Sequence, residues 1–191
     1  MEKVSVVCIL LLVTSCAKTI QVPSNKLGDY PSIMEISSPD LKGYIAIPLV
    51  SNKVVDVSIY NNDTCSIGGN NYKGETLGEG TLTPSDYAQK VSIPSNTWLV
   101  IQSESEEFMA GQFSQCKTAL RFYSEIGKNY IFRFKPGKSF GYLTCSGSLT
   151  EVIVKEGIKK EVEVSSVLHG TLNYKGFWEG NKLGENLCQG S

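Results

Sequence analysis

Histidine occurs once in this chain of 191 residues, at His169. A lone imidazole cannot supply the paired histidines of a typical catalytic zinc site, and as a general base it would need a serine and an orienting acid. No G-x-S-x-G elbow is present, and no Asp stands out as the orienting acid. Charge of one sign is also missing. Eighteen basic against 19 acidic residues leave a net charge of -1, too balanced for the phosphate-neutralising surface that DNA or RNA binding requires. The only long apolar run is Val4 to Val13, well short of the roughly 20 residues that span a bilayer as a helix. No cysteine pair has C-x-x-C spacing, and no window of 11 or more residues carries a convincing 3.6-residue period. The best helical candidate, Pro84 to Gln89 after Thr83, is a turn or two at most.

A two-residue period is what the chain has instead. Val55, Val57 and Ile59 alternate with Asp56 and Ser58; Tyr130, Phe132 and Phe134 enclose Arg133; Val162 and Val164 alternate with Glu161 and Glu163. That spacing places apolar side chains on one face of a strand. Turn residues separate the runs at Asn61-Asn62-Asp63, Gly68-Gly69-Asn70, Gly127-Lys128-Asn129, Pro136-Gly137 and Gly157. The pattern predicts strands near 43–49, 54–61, 90–93, 97–103, 118–124, 129–135, 148–155 and 160–168. Eight such strands imply an all-β fold, an antiparallel β-sandwich or small barrel. With 41% hydrophobic and 19% charged residues, the chain can bury one domain's core.

The N-terminus reads as an address. Lys3, the apolar run and the small residues Thr14 and Ser15 have the order of a secretory signal peptide. Val13-Thr14-Ser15-Cys16 resembles the bacterial lipobox, whose cysteine receives diacylglycerol and becomes the first mature residue. The resemblance implies lipidation at Cys16, and Ala17 after it implies sorting to the outer membrane. Acyl chains would then hold the body at a membrane without a spanning helix. The resulting division is a signal peptide over 1–15, a lipidated N-terminus and tether over 16–40, a β-domain over 41–168, and a Gly/Asn-rich extension over 169–191.

Six cysteines become four once Cys8 leaves with the signal peptide and Cys16 carries lipid. Cys65, Cys116, Cys145 and Cys188 form an even set, which in an oxidising compartment reads as a disulfide framework with three possible connectivities. The pairing expected is Cys116 with Cys145, across a predicted hairpin, and Cys65 with Cys188. A zinc site would need four scattered thiolates, so no metal or cofactor is expected.

Other motifs are weak. Gly137-Lys138-Ser139 ends like a phosphate loop, but Phe132 stands where its first glycine belongs. Ser103-Glu104-Ser105-Glu106-Glu107 lacks the spacing of a calcium loop and reads as a solvated loop between strands. Asn62-Asp63-Thr64 satisfies the glycosylation triplet but reads as a turn. Trp178 beside Phe177 and Tyr174 packs as core or lid, or serves as an exposed aromatic anchor for a partner.

The order of a strand into Cys65, a Gly-rich stretch, Val91-Ser92-Ile93-Pro94-Ser95, Cys116, the run Phe122 to Tyr130, and Cys145 resembles a group of uncharacterised proteobacterial lipoproteins with small periplasmic β-domains. That group has no established activity, so the resemblance speaks to fold and location. Cys145-Ser146-Gly147-Ser148 and Phe177-Trp178 resemble fragments of membrane-bound lysozyme inhibitors. The function expected is a non-catalytic binding or structural module of the cell envelope, held at the membrane by its lipid anchor and partnered by another envelope protein. The alternative is an inhibitor of an envelope hydrolase such as lysozyme.

Overall fold

The computed structural model describes residues 18–45, 51–68, 71–109, 112–139, 142–164, 168–172 and 178–179. Among them are eleven strands: β1 (Ser32–Ser37), β2 (Ser51–Gly68), β3 (Asn71–Leu82), β4 (Ala88–Ile93), β5 (Thr97–Met109), β6 (Gln112–Ser124), β7 (Asn129–Ser139), β8 (Tyr142–Lys155), β9 (Ile158–Glu163), β10 (Leu168–Leu172) and β11 (Trp178–Glu179). They form two sheets, ordered β4-β1-β7-β8-β9 and β11-β10-β6-β5-β2-β3. The fold is therefore an all-β sandwich. Its pairings are antiparallel except that β1 runs parallel to β7, Ile36 standing opposite Phe132.

The period-two runs predict the core. Val55, Val57 and Ile59 of β2 and Leu99 and Ile101 of β5 meet Leu120 and Phe122 of β6 on one inner face; Met34, Ile36, Tyr130, Phe132, Phe134 and Leu149 line the other, all of them buried. Burying each such large side chain stabilises by roughly 1.5–3 kcal/mol. Cys116 on β6 and Cys145 on β8 are joined by a disulfide, with Cα atoms 5.7 Å apart. It links the two sheets across the core, as the expected pairing requires.

Several expectations need correction. The segment assigned to a tether holds buried Ile20 and β1, an interior strand of its sheet. Pro31 and Ser38-Pro39 bound a strand of six residues there, instead of marking a linker. Within the strand expected at 43–49, residues 43–45 are turn and coil, Gly43 having a φ of 78°; 46–49 lie outside the described residues. The β-domain also extends past 168, since β10 pairs with β6 and β11 with β10.

Pro136-Gly137, expected as a turn, lies inside β7, with Pro136 opposite Cys145. Proline is tolerated there because β1 reaches only as far as Arg133, leaving that side of β7 without a partner strand among the described residues. The stretch from Ser103 to Glu107, expected as a loop, is part of β5. Ser103, Ser105 and Glu107 point inward and are buried, while Glu104 and Glu106 alternate to the outer face.

The side of the sandwich between β3 and β4 is closed by residues 18–22. Thr81 N–H donates to Lys18 O at 2.8 Å, Gln21 bridges Glu79, and Ile20 N–H donates to Gln89 Oε1 at 2.7 Å. Gly78 and Gly80 make room for this crossing, because a Cβ on Gly80 would stand 2.5 Å from Lys18 O.

Candidate functional site

The opposite side of the molecule is built differently. β8 and β9 continue the five-stranded sheet as a two-stranded ribbon, joined by Glu156 and Gly157 with φ values of 54° and 78°. Two consecutive positive φ angles make a type I′ turn, whose twist matches that of the flanking strands. All six residues of β9 are exposed. Beyond Leu149, the last core residue of β8, Ile153 and Val154 emerge into solvent, as do Ile158 (71% exposed) and Val162 on β9.

A groove of about 360 Å³ runs along the outer face of this sheet. Ile33 of β1, Ile131 of β7 and Val152 and Val154 of β8 form its apolar floor; Glu35, Lys90, Lys159 and Glu161 stand among its polar groups. Arg133 grips Glu161 through two hydrogen bonds of 2.6 and 2.7 Å, and Thr150 donates a third at 3.1 Å. These bonds hold the Glu161 carboxyl below its ordinary range and raise the Arg133 guanidinium further, so both stay charged. Lys128 is likewise raised by its hydrogen bond to Glu151 at 2.5 Å. Lys90 lies opposite Glu35 in the sheet register, yet neither Lys90 nor Lys159 makes an ion pair within 4.0 Å among the described residues. The groove thus offers an apolar strip beside two available ammonium groups.

The outer face of the other sheet carries a second polar array. Asp56 on β2 lies directly opposite Glu104 on β5, with Glu106 two residues along. Lys117 pairs with Glu104 at 2.8 Å, Gln115 donates to Glu104 and Glu106, and Thr81 donates to Asp56 at 2.7 Å. Burial, then Asp56 and Glu104, push the Glu106 carboxyl above its ordinary value. Further along the same face the Arg121 guanidinium lies 4.2 Å from the Trp98 ring centre, and Tyr123 meets that ring edge-on at 5.5 Å. Among the described residues no group of three or more His, Cys, Asp or Glu is placed to hold a metal ion.

Of the residues singled out in the sequence, Cys116 and Cys145 come together. Cys65 lies in β2, while Cys16 and Cys188 fall outside the described residues. His169 lies in β10, in register with Leu120, and Trp178 in β11 pairs with Leu172. Neither the groove nor the Trp98, Arg121 and Tyr123 cluster is legible in the sequence. Alternation at Val152, Val154 and Val162 signalled strands, but only pairing across sequence-distant strands shows which apolar residues remain uncovered. No protein-family model, curated protein or solved structure matches this chain significantly.

Proposed function

We propose that this protein is a lipid-anchored, non-catalytic binding module of the cell envelope that engages another envelope protein through the β8–β9 ribbon and its groove. The observation that carries the reading is a projecting ribbon with exposed apolar residues on both faces: Val154 borders the groove, while Ile153, Ile158 and Val162 share the opposite face. Apolar surface gathered on a projection, with polar groups around it, is the composition of a protein contact. The position of the anchor supports it. Only Ala17 separates Cys16 from Lys18, whose carbonyl is bonded to β3. A lipid on Cys16 would hold the β3–β4 side against the membrane and leave the ribbon, on the far edge of its sheet, facing away. The lipobox and this arrangement agree with a body that sits close to the lipid surface and presents one side outward.

Two measurements test the reading. Palmitate labelling is expected in the wild type and absent from Cys16→Ser; equal labelling rejects the anchor. A photo-crosslinker at position 154 is expected to yield a discrete higher-mass adduct in intact envelopes, while one at exposed Asn96 does not. No adduct at 154, or the same adducts from both positions, rejects the groove.

A further inference from the structure

We propose that β9 accepts an added strand, taking an extended partner segment with two adjacent carboxylates between two apolar residues, one of them a position removed. The inference rests on the ribbon being the binding face and concerns how the partner is held there.

The outer strands β3 and β4 differ from β9 in how their edges are managed. The β3 edge is occupied by residues 18–22, and Gln89 ties β4 to that same segment and to Thr81 O. β9 ends its sheet with nothing beyond it among the described residues. An edge strand of this kind leaves alternate backbone N–H and C=O groups unpaired. The two-residue turn closes on the Lys155 and Ile158 pair, so Ile158, Lys160 and Val162 hydrogen-bond to β8. Lys159, Glu161 and Glu163 therefore direct their backbone groups outward, ready for an incoming strand.

Charge along the edge selects the occupant. Arg133 and Thr150 already satisfy Glu161, whereas Lys159 and Lys160 make no ion pair among the described residues. An antiparallel segment would place consecutive residues opposite Lys160 and Lys159, and two carboxylates there complete both cross-strand pairs. An apolar residue next to them would stand opposite Ile158, and on the other side, past one residue facing Glu161, a second would stand opposite Val162; a basic residue would suit Glu163. A second copy of this chain is a poor occupant. Antiparallel β9 pairing about a two-fold axis at Lys160 would set Ile158 against Val162 but Lys160 against Lys160, and would offer Lys159 only a Glu161 already held by Arg133 and Thr150; axes at Glu161 or Val162 set Glu161 against Glu161 or Glu163.

The test titrates the isotope-labelled protein with two end-capped peptides, Lys-Val-Thr-Glu-Glu-Val and its charge-swapped form Glu-Val-Thr-Lys-Lys-Val, following backbone amides by NMR. Expected are shifts and exchange protection at Lys159, Glu161 and Glu163, with roughly fivefold tighter binding of the first peptide from two added charge pairs. Lys159→Pro removes one outward N–H without touching the β8 ladder and is expected to abolish binding. Lys159→Gln is expected to weaken binding while keeping the amide protection. Equal binding of the two peptides, no binding, or unchanged binding by a folded Lys159→Pro overturns strand addition. If adducts at position 154 survive such a result, the groove stands and only the strand mode fails; if those adducts are absent, the binding face itself is wrong.

Discussion

The backbone N–H of Thr81 donates to the carbonyl oxygen of Lys18 over 2.8 Å, so the chain joins the sheet edge almost as soon as it leaves Cys16. This contact turns a stretch that reads as linker into the closing element of one side of the sandwich. It depends on Gly80, directly before Thr81.

Gly80→Ala should break that closure. Its new Cβ would lie 2.5 Å from Lys18 O and 2.6 Å from Ile20 N, both backbone atoms, so the crossing segment must move. Overpacking of this kind costs roughly 1–3 kcal/mol. Hydrogen exchange should accelerate at Ile20 before it does in β5 or β6, because Ile20 N–H loses its bond to Gln89. Unchanged exchange at Ile20 would show that the closure does not depend on Gly80.

Removing the bridge between the sheets should cost more. Cys116 and Cys145 are 29 residues apart in sequence and both are buried. Closing a loop of that size is worth about 2–4 kcal/mol. The double Cys116→Ala, Cys145→Ala variant should therefore melt lower by roughly 4–16 °C. A thermal scan that shows no difference would mean that core packing alone fixes the sheets.

Glu106 offers a pH-dependent test whose sign is fixed in advance. Burial and the carboxylates of Asp56 and Glu104 raise its pKa in the folded state, against the hydrogen bond from Gln115 and the charge of Lys117. An acid raised on folding destabilises while ionised, and that penalty fades as pH falls through the folded pKa toward the unfolded value. Glu106→Gln should thus stabilise by a few tenths of a kcal/mol at pH 7, and the gain should vanish below about pH 4. Denaturant midpoints at the two pH values provide the check; a gain that grows on acidification contradicts the assignment.

The parts of the fold legible in the sequence are those where alternation and burial agree. Val55, Val57 and Ile59, or Phe132 and Phe134, declare both strand and inner face. β3 was illegible because Gly74, Gly78 and Gly80 lower its strand character, and two of these glycines answer to residues 18–22, more than 55 positions away. The second half of β5 was hidden because Ser103 and Ser105 take core positions where alternation leads one to expect apolar residues. Their hydroxyls find no hydrogen-bond partner among the described residues. The groove was least legible of all. Its floor joins Ile33 of β1 to Ile131 of β7 and Val154 of β8, and the β1–β7 pairing that places Ile33 beside this face is parallel and remote in sequence.

The turn that sets the ribbon's geometry can be strengthened without touching its surface. Glu156 adopts a φ of 54° and is followed by Gly157 at 78°. Glutamate has no local hydrogen bond to offset the crowding of its Cβ in the left-handed region, whereas Asn tolerates it and Asn-Gly is the favoured pair for a type I′ turn. Glu156→Asn should stabilise the ribbon by roughly 0.5–1 kcal/mol, and Gly157→Ala should destabilise it by about 1 kcal/mol or more. Since the ribbon is exposed on both faces and contributes little to the main core, these effects should appear first as slower or faster amide exchange at Ile158, Lys160 and Val162, the N–H groups bonded to β8. If the two substitutions leave those rates unchanged while shifting global stability, the ribbon folds as one unit with the sandwich, and the turn is not its independent control.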